Sequence, residues 1–419
     1  MGNGSSNSAY VALNKNVAFP GDVLGGCLYV VITQPISIQS ITIFVRGYED
    51  IRWQDEVSDP VGVEHNQAVR AIRSSRDRID QYSGNEEFRM ELESARRDLA
   101  AAEQRLVMSN RQRSLKGLVP SQGEVSETML VERRGGSEFF KFAVPVGGPG
   151  QPFGQYSFPF SFRLPEGIPG SFSYVNGTTS ANLIYDITGV IAVPGMMSSF
   201  ISSNITHTVR FHVIERPLSM SRLACAVSTN IYTCCCFNNG SVSLETSAEK
   251  NSYSPGENMQ VALDVVNNSS KNIKQFEITL VSVLTLQARG AVYGTTATKT
   301  IETIRSSVTV DGVPSKKSIS GLFVALPVPN EAEQQCLGAC IRHYYYFKVQ
   351  GVIDWASDAV MKVPVVISVI SPQFIEPDIP QAPANWQPAV APSVDIVLPQ
   401  QPEMTRGLEL NQFDNLKTI

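Results

Sequence analysis

The chain has 419 residues, of which 42% are hydrophobic and 17% charged, and its formal net charge is −5. This length exceeds one ordinary core and predicts two or three domains, and the composition excludes a largely disordered chain. The negative charge argues against nucleic-acid binding by bulk electrostatics, and no apolar run approaches the ~20 residues that cross a bilayer.

Residues 1–9 form a polar leader, MGNGSSNSA, without the apolar centre of a signal peptide. A cytosolic location is therefore expected, in which the cysteines would be mostly reduced. Gly2 after Met1, with a serine at position 6, fits the N-myristoylation pattern. Gly2 is therefore a candidate lipidation site. The alternative is a flexible leader without modification.

Two stretches of the chain share a Pro-Gly-acid turn. They are NVAFPGDV at 16–23 and NSYSPGEN at 251–258, and a strand-like apolar run follows each of them. Proline and glycine at the centre of a turn favour type II, because glycine accepts a positive φ. A Leu-Pro bend and a tyrosine-bearing strand come later in both halves. The simplest interpretation is two copies of one β-fold.

The first half is longer than the second because it contains a charged segment without proline at 64–113. This segment has ten arginines and nine acidic residues. An apolar seam with steps of three and four residues predicts helix, and Ser83-Gly84-Asn85-Glu86 is typical of a helix break with a capping box. We expect a coiled-coil-like helical hairpin inserted between two strands; a single long helix is the alternative.

An aromatic strand follows the insert in the sequence PFGQYSFPFSFRLPEGIPGSF. Its large apolar side chains fall on even positions from Tyr156 to Leu164, which predicts a β-strand with one apolar face. Pro159 cannot donate to a ladder, so the strand is expected at a sheet edge or with a bulge.

The remaining segments divide the second half. Residues 216–239 are interpreted as a connector with a cysteine cluster, Cys234, Cys235 and Cys236, which is a candidate palmitoylation site or else a packed hinge. Residues 240–371 show the short, regularly spaced strands typical of a sandwich. Residues 372–419 contain eight prolines and are expected to be extended or disordered.

Catalytic and metal-binding patterns were weighed against structural roles. The four histidines, His65, His207, His212 and His343, form no recognisable catalytic arrangement in the sequence, and no phosphate-binding loop or nucleophile elbow occurs. Cys336, Cys340 and His343 could contribute metal ligands, but zinc sites usually need four, and buried cysteines are the simpler interpretation. No catalytic residue, cofactor or metal is therefore assigned.

These motifs together resemble the α-arrestins, a family of arrestin-domain-containing trafficking adaptors. The resemblance rests on FPGDVLGGCLYVVI, ITIFVRGYEDIRW and the aromatic strand in the first half, and on GSVSLETSAEKNSYSPGENMQVALDVV and MKVPVVISVI in the second. It covers residues 10–371 apart from the insert. The tail departs from many members because it contains no Pro-Pro-x-Tyr motif for recruiting ubiquitin ligases.

The resemblance implies an all-β fold of two tandem immunoglobulin-like antiparallel β-sandwiches, the first at 10–215 with the helical insertion. It also implies a non-enzymatic adaptor that links cytosolic tails of membrane proteins to endocytic, sorting or ubiquitination machinery. Such a protein would lie in the cytoplasm, peripherally on the plasma membrane or endosomes, with a lipid anchor as one route to the membrane. The alternative is a scaffold protein whose helical insert mediates partner docking or self-association.

Overall fold

The computed structural model describes residues 7–34, 36–84, 86–149, 154–193, 204–215, 222–234, 237–289, 296–368, 389–390 and 394–396. Within these residues the chain is mostly β-strand, with one pair of α-helices. In chain order, the elements are β1 (Ser8–Leu13), β2 (Val17–Ala18), β3 (Val23–Ile32), β4 (Ser40–Ser58), α1 (Pro60–Tyr82), α2 (Arg89–Leu115), β5 (Thr128–Gly147), β6 (Gly154–Arg163), β7 (Phe172–Asn176), β8 (Thr179–Ala192), β9 (Ile205–Val213), β10 (Leu223–Thr233), β11 (Phe237–Ala248), β12 (Ser252–Tyr253), β13 (Asn258–Asn267), β14 (Gln275–Arg289), β15 (Thr296–Asp311), β16 (Ser318–Pro327), β17 (Cys336–Leu337), β18 (Ile341–Val352), β19 (Ala359–Ile367), β20 (Ala389–Val390) and β21 (Val394–Ile396).

The first sandwich is built from two sheets. One has the order β1-β3-β6, with β20 and β21 on the far side of β6, and the other has the order β2-β9-β8-β4-β5, with β7 on β8. Side chains alternate across each strand, so large apolar residues such as Leu28, Ile43, Phe160 and Phe211 are buried, each at 2% exposure or less. This alternation produces the core between the two sheets.

The aromatic strand is β6, and its apolar side chains face the core as the parity predicts. Phe158, Phe160, Phe162 and Leu164 are all buried. Pro159 lies opposite Cys27 of β3 in a regular register, so the bulge alternative is wrong. The sheet-edge alternative is also wrong for the strand as a whole, because β20 and β21 pair with β6 on the side away from β3.

Two short strands from the tail lie along the far side of β6. Ala389 and Val390 pair in parallel with Tyr156 and Ser157, and β21 pairs in parallel with residues from Phe160 onward. The rest of residues 372–419 lies outside the described residues, so the expectation of an extended or disordered tail stays a prediction there.

The second sandwich repeats the first. Its sheets have the orders β10-β11-β13-β16 and β12-β19-β18-β14-β15, with β17 on β18. A continuous apolar core fills the space between them and includes Val261, Phe276 and Phe347. The tandem all-β architecture expected from the sequence is confirmed.

The Pro-Gly-acid turns occupy equivalent places in the two sandwiches. Each precedes a long strand and follows a two-residue strand paired in parallel, β2 with β9 and β12 with β19. Gly21 and Gly256 have φ of +82° and +85°, as a type II turn requires.

The acidic residue of each turn has a structural role that both copies share. The carboxylate of Asp22 accepts a hydrogen bond from the N–H of Phe19 at 3.2 Å and pairs with Lys15 Nζ at 2.9 Å. Glu257 accepts from Ser254 N at 2.9 Å and pairs with Lys250 Nζ at 2.8 Å. The lysine stands seven residues before the acid in both copies.

Residues Arg52–Arg133 form a separate compact unit that contains the helical hairpin. Asp59 caps α1, because its carboxylate accepts from Val61 N at 3.3 Å, and Pro60 begins the helix. The two helices pack through Ala68, Ile72 and Leu106, among others. The helical insertion is confirmed, and the hairpin rather than one long helix is observed; the helices extend slightly beyond the expected 64–113.

Two expectations about local structure need correction. The predicted capping box is wrong: α2 begins after Phe88, which makes no side-chain cap, and Ser83 Oγ instead donates to Ile79 O at the end of α1. Within the expected connector at 216–239, residues 223–233 form β10 and residues 237–239 begin β11. They are strands because β10 and β11 pair with each other in antiparallel register, interrupted only between Asn230 and Tyr232.

None of the helices among the described residues is both long enough and apolar enough to cross a membrane.

Candidate functional site

The two sandwiches meet through a buried carboxylate. Glu49 on β4 is 3% exposed, and its two oxygens accept hydrogen bonds from the backbone N–H groups of Ala339, Cys340 and Ile341 at 2.9–3.2 Å. These residues belong to the turn that leads into β18 of the second sandwich. Glu49 therefore satisfies three donors that a buried turn would otherwise leave unpaired.

The turn fits closely around this carboxylate. A Cβ atom at Gly338 would lie 1.9 Å from Glu49 Oε1, so only glycine allows the approach. Burial raises the pKa of the Glu49 carboxyl, and the backbone N–H groups partly oppose that rise because they favour the charged form.

A second contact between the sandwiches is made by Gln334. Its Nε2 donates to Ser171 O at 2.7 Å and to Val213 O at 3.0 Å, both in the first sandwich. A Cβ atom at Gly170 would lie 2.7 Å from this nitrogen, so glycine is needed here too. A cavity of about 520 Å³ adjoins the contact, between residues 171–173 and 331–334 among others.

His343 lies beneath this contact as a structural residue. Its Nδ1 lies 3.0 Å from Gln334 O, and its ring centroid lies 4.8 Å from that of Phe172. Since a carbonyl oxygen only accepts, Nδ1 carries the proton. Burial lowers the pKa of His343 to about 4, so the imidazole is neutral at physiological pH.

The outer strand β10 presents an uncharged sheet edge. Among the described residues it pairs only with β11, and its sequence, LACAVSTNIYT, contains no charged residue and no proline. The exposed side chains along residues 223–230 are small: Ala224, Ala226, Ser228 and Asn230. Edge strands are usually protected by lysine, proline, short length or bulges, and here a bulge comes only between Asn230 and Tyr232.

Three other sheet edges are occupied or protected. Val11 N of the outer strand β1 donates to His207 Nδ1 at 3.0 Å within the first sandwich. The edge of β6 is paired with β20 and β21. Charged side chains, including Lys299, Glu302 and Arg305, lie along β15. The outer strand β16, at the other end of the β10 sheet, is also uncharged, but its pairing with β13 is interrupted and Gly321 within it has a φ of +67°. β10 is therefore better suited than these edges to pairing with an extended peptide.

The turn at the end of β10 carries one of the candidate lipidation residues. Cys234 is exposed and has a φ of +50°. Tyr232 joins this turn to the β18–β19 loop, since its N–H donates to Ser357 Oγ at 3.0 Å and its carbonyl accepts from Ser357 N at 2.9 Å. Trp355 in that loop is 90% exposed and Phe237 at the start of β11 is 70% exposed. Cys234 thus lies at an end of the second sandwich that also carries exposed aromatic side chains.

The remaining candidate residues are placed as follows. Gly2, Cys235 and Cys236 lie outside the described residues. Cys336 lies directly opposite His343 in the register of β17 and β18 and is fully buried, and burial raises the pKa of its thiol well above the usual range. Within the described parts of the chain, no group of three or more His, Cys, Asp or Glu side chains is arranged to hold a metal ion.

Sequence reasoning missed both polar contacts between the sandwiches. Glu49 lies in a run that otherwise alternates as a strand, and Gln334 lies in a polar loop, so neither has a distinctive local pattern. One signal was available. On β4 the residues that share the parity of Glu49, such as Val45 and Ile51, are buried, and an acidic residue among them is unusual.

Paired antiparallel sandwiches with equivalent turns and strand orders define a tandem β-sandwich protein. Residues 238–373 match the family model "Arrestin (or S-antigen), C-terminal domain". The chain is also 24% identical over 261 residues to "Arrestin domain-containing protein A" of Dictyostelium discoideum, and this alignment covers 60% of the chain and 42% of the relative's length. These two similarities support an arrestin-domain, α-arrestin-like family for this chain.

Proposed function

We propose that this protein is a non-enzymatic arrestin-like adaptor that links cytosolic parts of membrane proteins to endocytic, sorting or ubiquitination machinery. The similarity to arrestin-domain proteins supports an adaptor role in general. The observation that carries the finer proposal is the β10 edge, which is uncharged, regular over residues 223–230 and paired on one side within the described chain.

An extended cargo peptide would bind as an added strand. Backbone groups of the peptide would complete the hydrogen bonds of the β10 edge, and its alternate side chains would lie over the small exposed residues of the strand. Small side chains suit this role because they leave room for the side chains of an incoming peptide.

Three of the four histidines have structural partners, which supports a non-enzymatic role, and the fourth, His212, is exposed on β9. His65 lies 3.1 Å from Ser109 Oγ and 2.9 Å from Gly123 O inside the helical unit. His207 accepts from a backbone N–H of β1, and His343 is buried and neutral in the contact between the sandwiches. These side chains hold structure together and are not free for proton transfer.

Membrane attachment is the second part of the proposal. Myristoylation at Gly2 would give only marginal binding alone, so a second signal is needed. Palmitoylation of Cys234, Cys235 or Cys236 would supply it. The position of Cys234 beside the exposed Trp355 and Phe237 supports this, since aromatic side chains favour the membrane–water interface.

Cargo binding can be tested by proximity labelling in cells with an edge-blocking variant. Ala224→Lys/Ala226→Lys places charge on the β10 edge, and Gln260→Lys/Val266→Lys makes a comparable change at exposed positions of the inner strand β13. We expect the β10 variant alone to lose labelling of membrane proteins. Equal labelling by both variants would contradict cargo binding at this edge.

Lipid attachment is tested separately by fractionation. Gly2→Ala, and a triple Cys→Ser variant at 234–236, should each move protein from the membrane to the soluble fraction. Unchanged partitioning of both variants would reject acylation as the means of membrane attachment and would leave the edge-binding proposal intact.

A further inference from the structure

The helical unit has an exposed face that its own packing does not use. Helix α2 packs on α1 through Ala95, Ala102 and Leu106, which are buried. At 100° per residue, the opposite side carries a set of exposed residues that we call the outer face of α2. Its members are Arg97, Gln104, Val107, Met108, Arg111 and Leu115.

The apolar members of this face are unusually exposed for their size. Val107, Met108 and Leu115 are 67%, 54% and 82% exposed, and Val119 just beyond the helix is 79% exposed. Single exposed apolar residues are ordinary, but a group within four turns of one helix is typical of a binding surface.

Three of the four acidic residues of α2 lie away from the outer face. Two of them face α1, where Asp98 pairs with Arg78 at 2.6 Å and Glu103 with Arg76 at 3.5 Å. The fourth, Glu93, lies one turn before Arg97 on the same side of the helix and pairs with Arg89 at 3.7 Å. Among the described residues, neither Arg97 nor Arg111 forms an ion pair. From residue 97 to residue 115 the outer face is therefore apolar and positively charged.

We propose that the outer face of α2 binds the surface of an anionic lipid membrane. Arginine side chains reach lipid phosphates with their charged ends while their apolar stems lie beside Met108 and Leu115, and the apolar side chains enter the headgroup region. Anionic lipids also complement the positive charge of the face. A second copy of the chain fits less well, because Arg97 and Arg111 would face an equally positive surface.

This inference extends the membrane association of the proposed function but uses different residues and no acyl chain. The test is sedimentation of full-length, non-acylated protein with phosphatidylcholine vesicles, with and without phosphatidylserine. Loss of acylation or of cargo binding therefore cannot cause a loss of vesicle binding in this assay. We expect binding only when phosphatidylserine is present, and weaker binding as salt rises.

Two variants test the two components of the face. Arg97→Gln/Arg111→Gln should weaken binding about thirtyfold, at about 1 kcal/mol for each basic residue near an anionic surface. Met108→Gln/Leu115→Gln should also weaken it while net charge is unchanged, and glutamine preserves helix propensity. The matched control, Arg70→Gln/Arg73→Gln, removes the same charge from exposed positions of α1 and should bind at least tenfold more tightly than the face variant.

Three results would overturn the proposal. These are equal binding to both kinds of vesicle, equal loss in the control and face variants, and binding of an acidic helical peptide by the face without any vesicle binding. Circular dichroism verifies that each variant keeps its helix. We expect the helix to be kept because all the substituted residues are exposed.

Discussion

Glu49 and Cys340 are joined across the two sandwiches, with the backbone nitrogen of Cys340 2.9 and 3.1 Å from the two carboxylate oxygens of Glu49. The residues are 291 positions apart in the chain. The contact uses a side chain on one sandwich and chiefly backbone N–H groups on the other, with an additional hydrogen bond from the side chain of Cys340. Its geometry therefore depends on the path of the 338–341 turn more than on the identity of its side chains.

Removing this carboxylate should destabilise the protein. Glu49→Ala leaves three buried N–H groups without an acceptor, which costs about 1–3 kcal/mol of unfolding free energy. Asp50→Ala is the matched control, because it removes one acidic residue at the adjacent, exposed position. Urea unfolding of both variants gives the comparison, and equal midpoints would contradict a structural role for Glu49.

His343 should make stability depend on acid pH. Its folded pKa of about 4 lies below the ordinary 6.5, so the unfolded chain binds more protons between these values. The stability contributed by neutral His343 is fully present above pH 6.5 and is lost as pH falls through 4. The expected loss is about 3 kcal/mol.

The measurement needs a variant that removes this titration, because the raised pKa of Glu49 acts in the opposite sense. His343→Asn keeps a hydrogen-bond donor but does not titrate. The difference in unfolding free energy between wild type and variant, measured from pH 7 to pH 4.5, should shift against the wild type as pH falls. A difference independent of pH would show that His343 is already free to protonate in the folded protein.

The Pro-Gly-acid turn should depend more on its hydrogen bond than on its ion pair. Asp22→Ala removes both the acceptor for Phe19 N and the partner of Lys15, whereas Lys15→Ala removes only a partly exposed ion pair, with 38% of the lysine side chain exposed. We expect Asp22→Ala to cost about 1 kcal/mol and Lys15→Ala less than half of that. Thermal unfolding of the two variants measures the order, and a larger effect of Lys15→Ala would reverse this interpretation. Glu257 and Lys250 provide the same comparison in the second sandwich.

Sequence patterns were reliable where the physical cause is local. Alternation along the aromatic strand placed Phe158, Phe160 and Phe162 in the core, because successive side chains of a strand point to opposite faces. The Pro-Gly pairs indicated the equivalent turns, because glycine accepts positive φ. The helical insertion followed from its seam of apolar residues. The predicted capping box at Ser83 failed because the same local residues can end one helix or begin the next.

The sequence by itself determined the tandem all-β architecture, the helical insertion and the resemblance to arrestin-domain proteins, because periodicity and turn chemistry act over a few residues. Only the tertiary structure decided that Glu49 meets Cys340, that Gln334 bridges the sandwiches, that β10 is an edge strand and not a linker, and that Asp98 and Glu103 of α2 pair with arginines of α1. Each of these depends on which segments pack together, and burial and charge pairing between distant residues leave no local pattern.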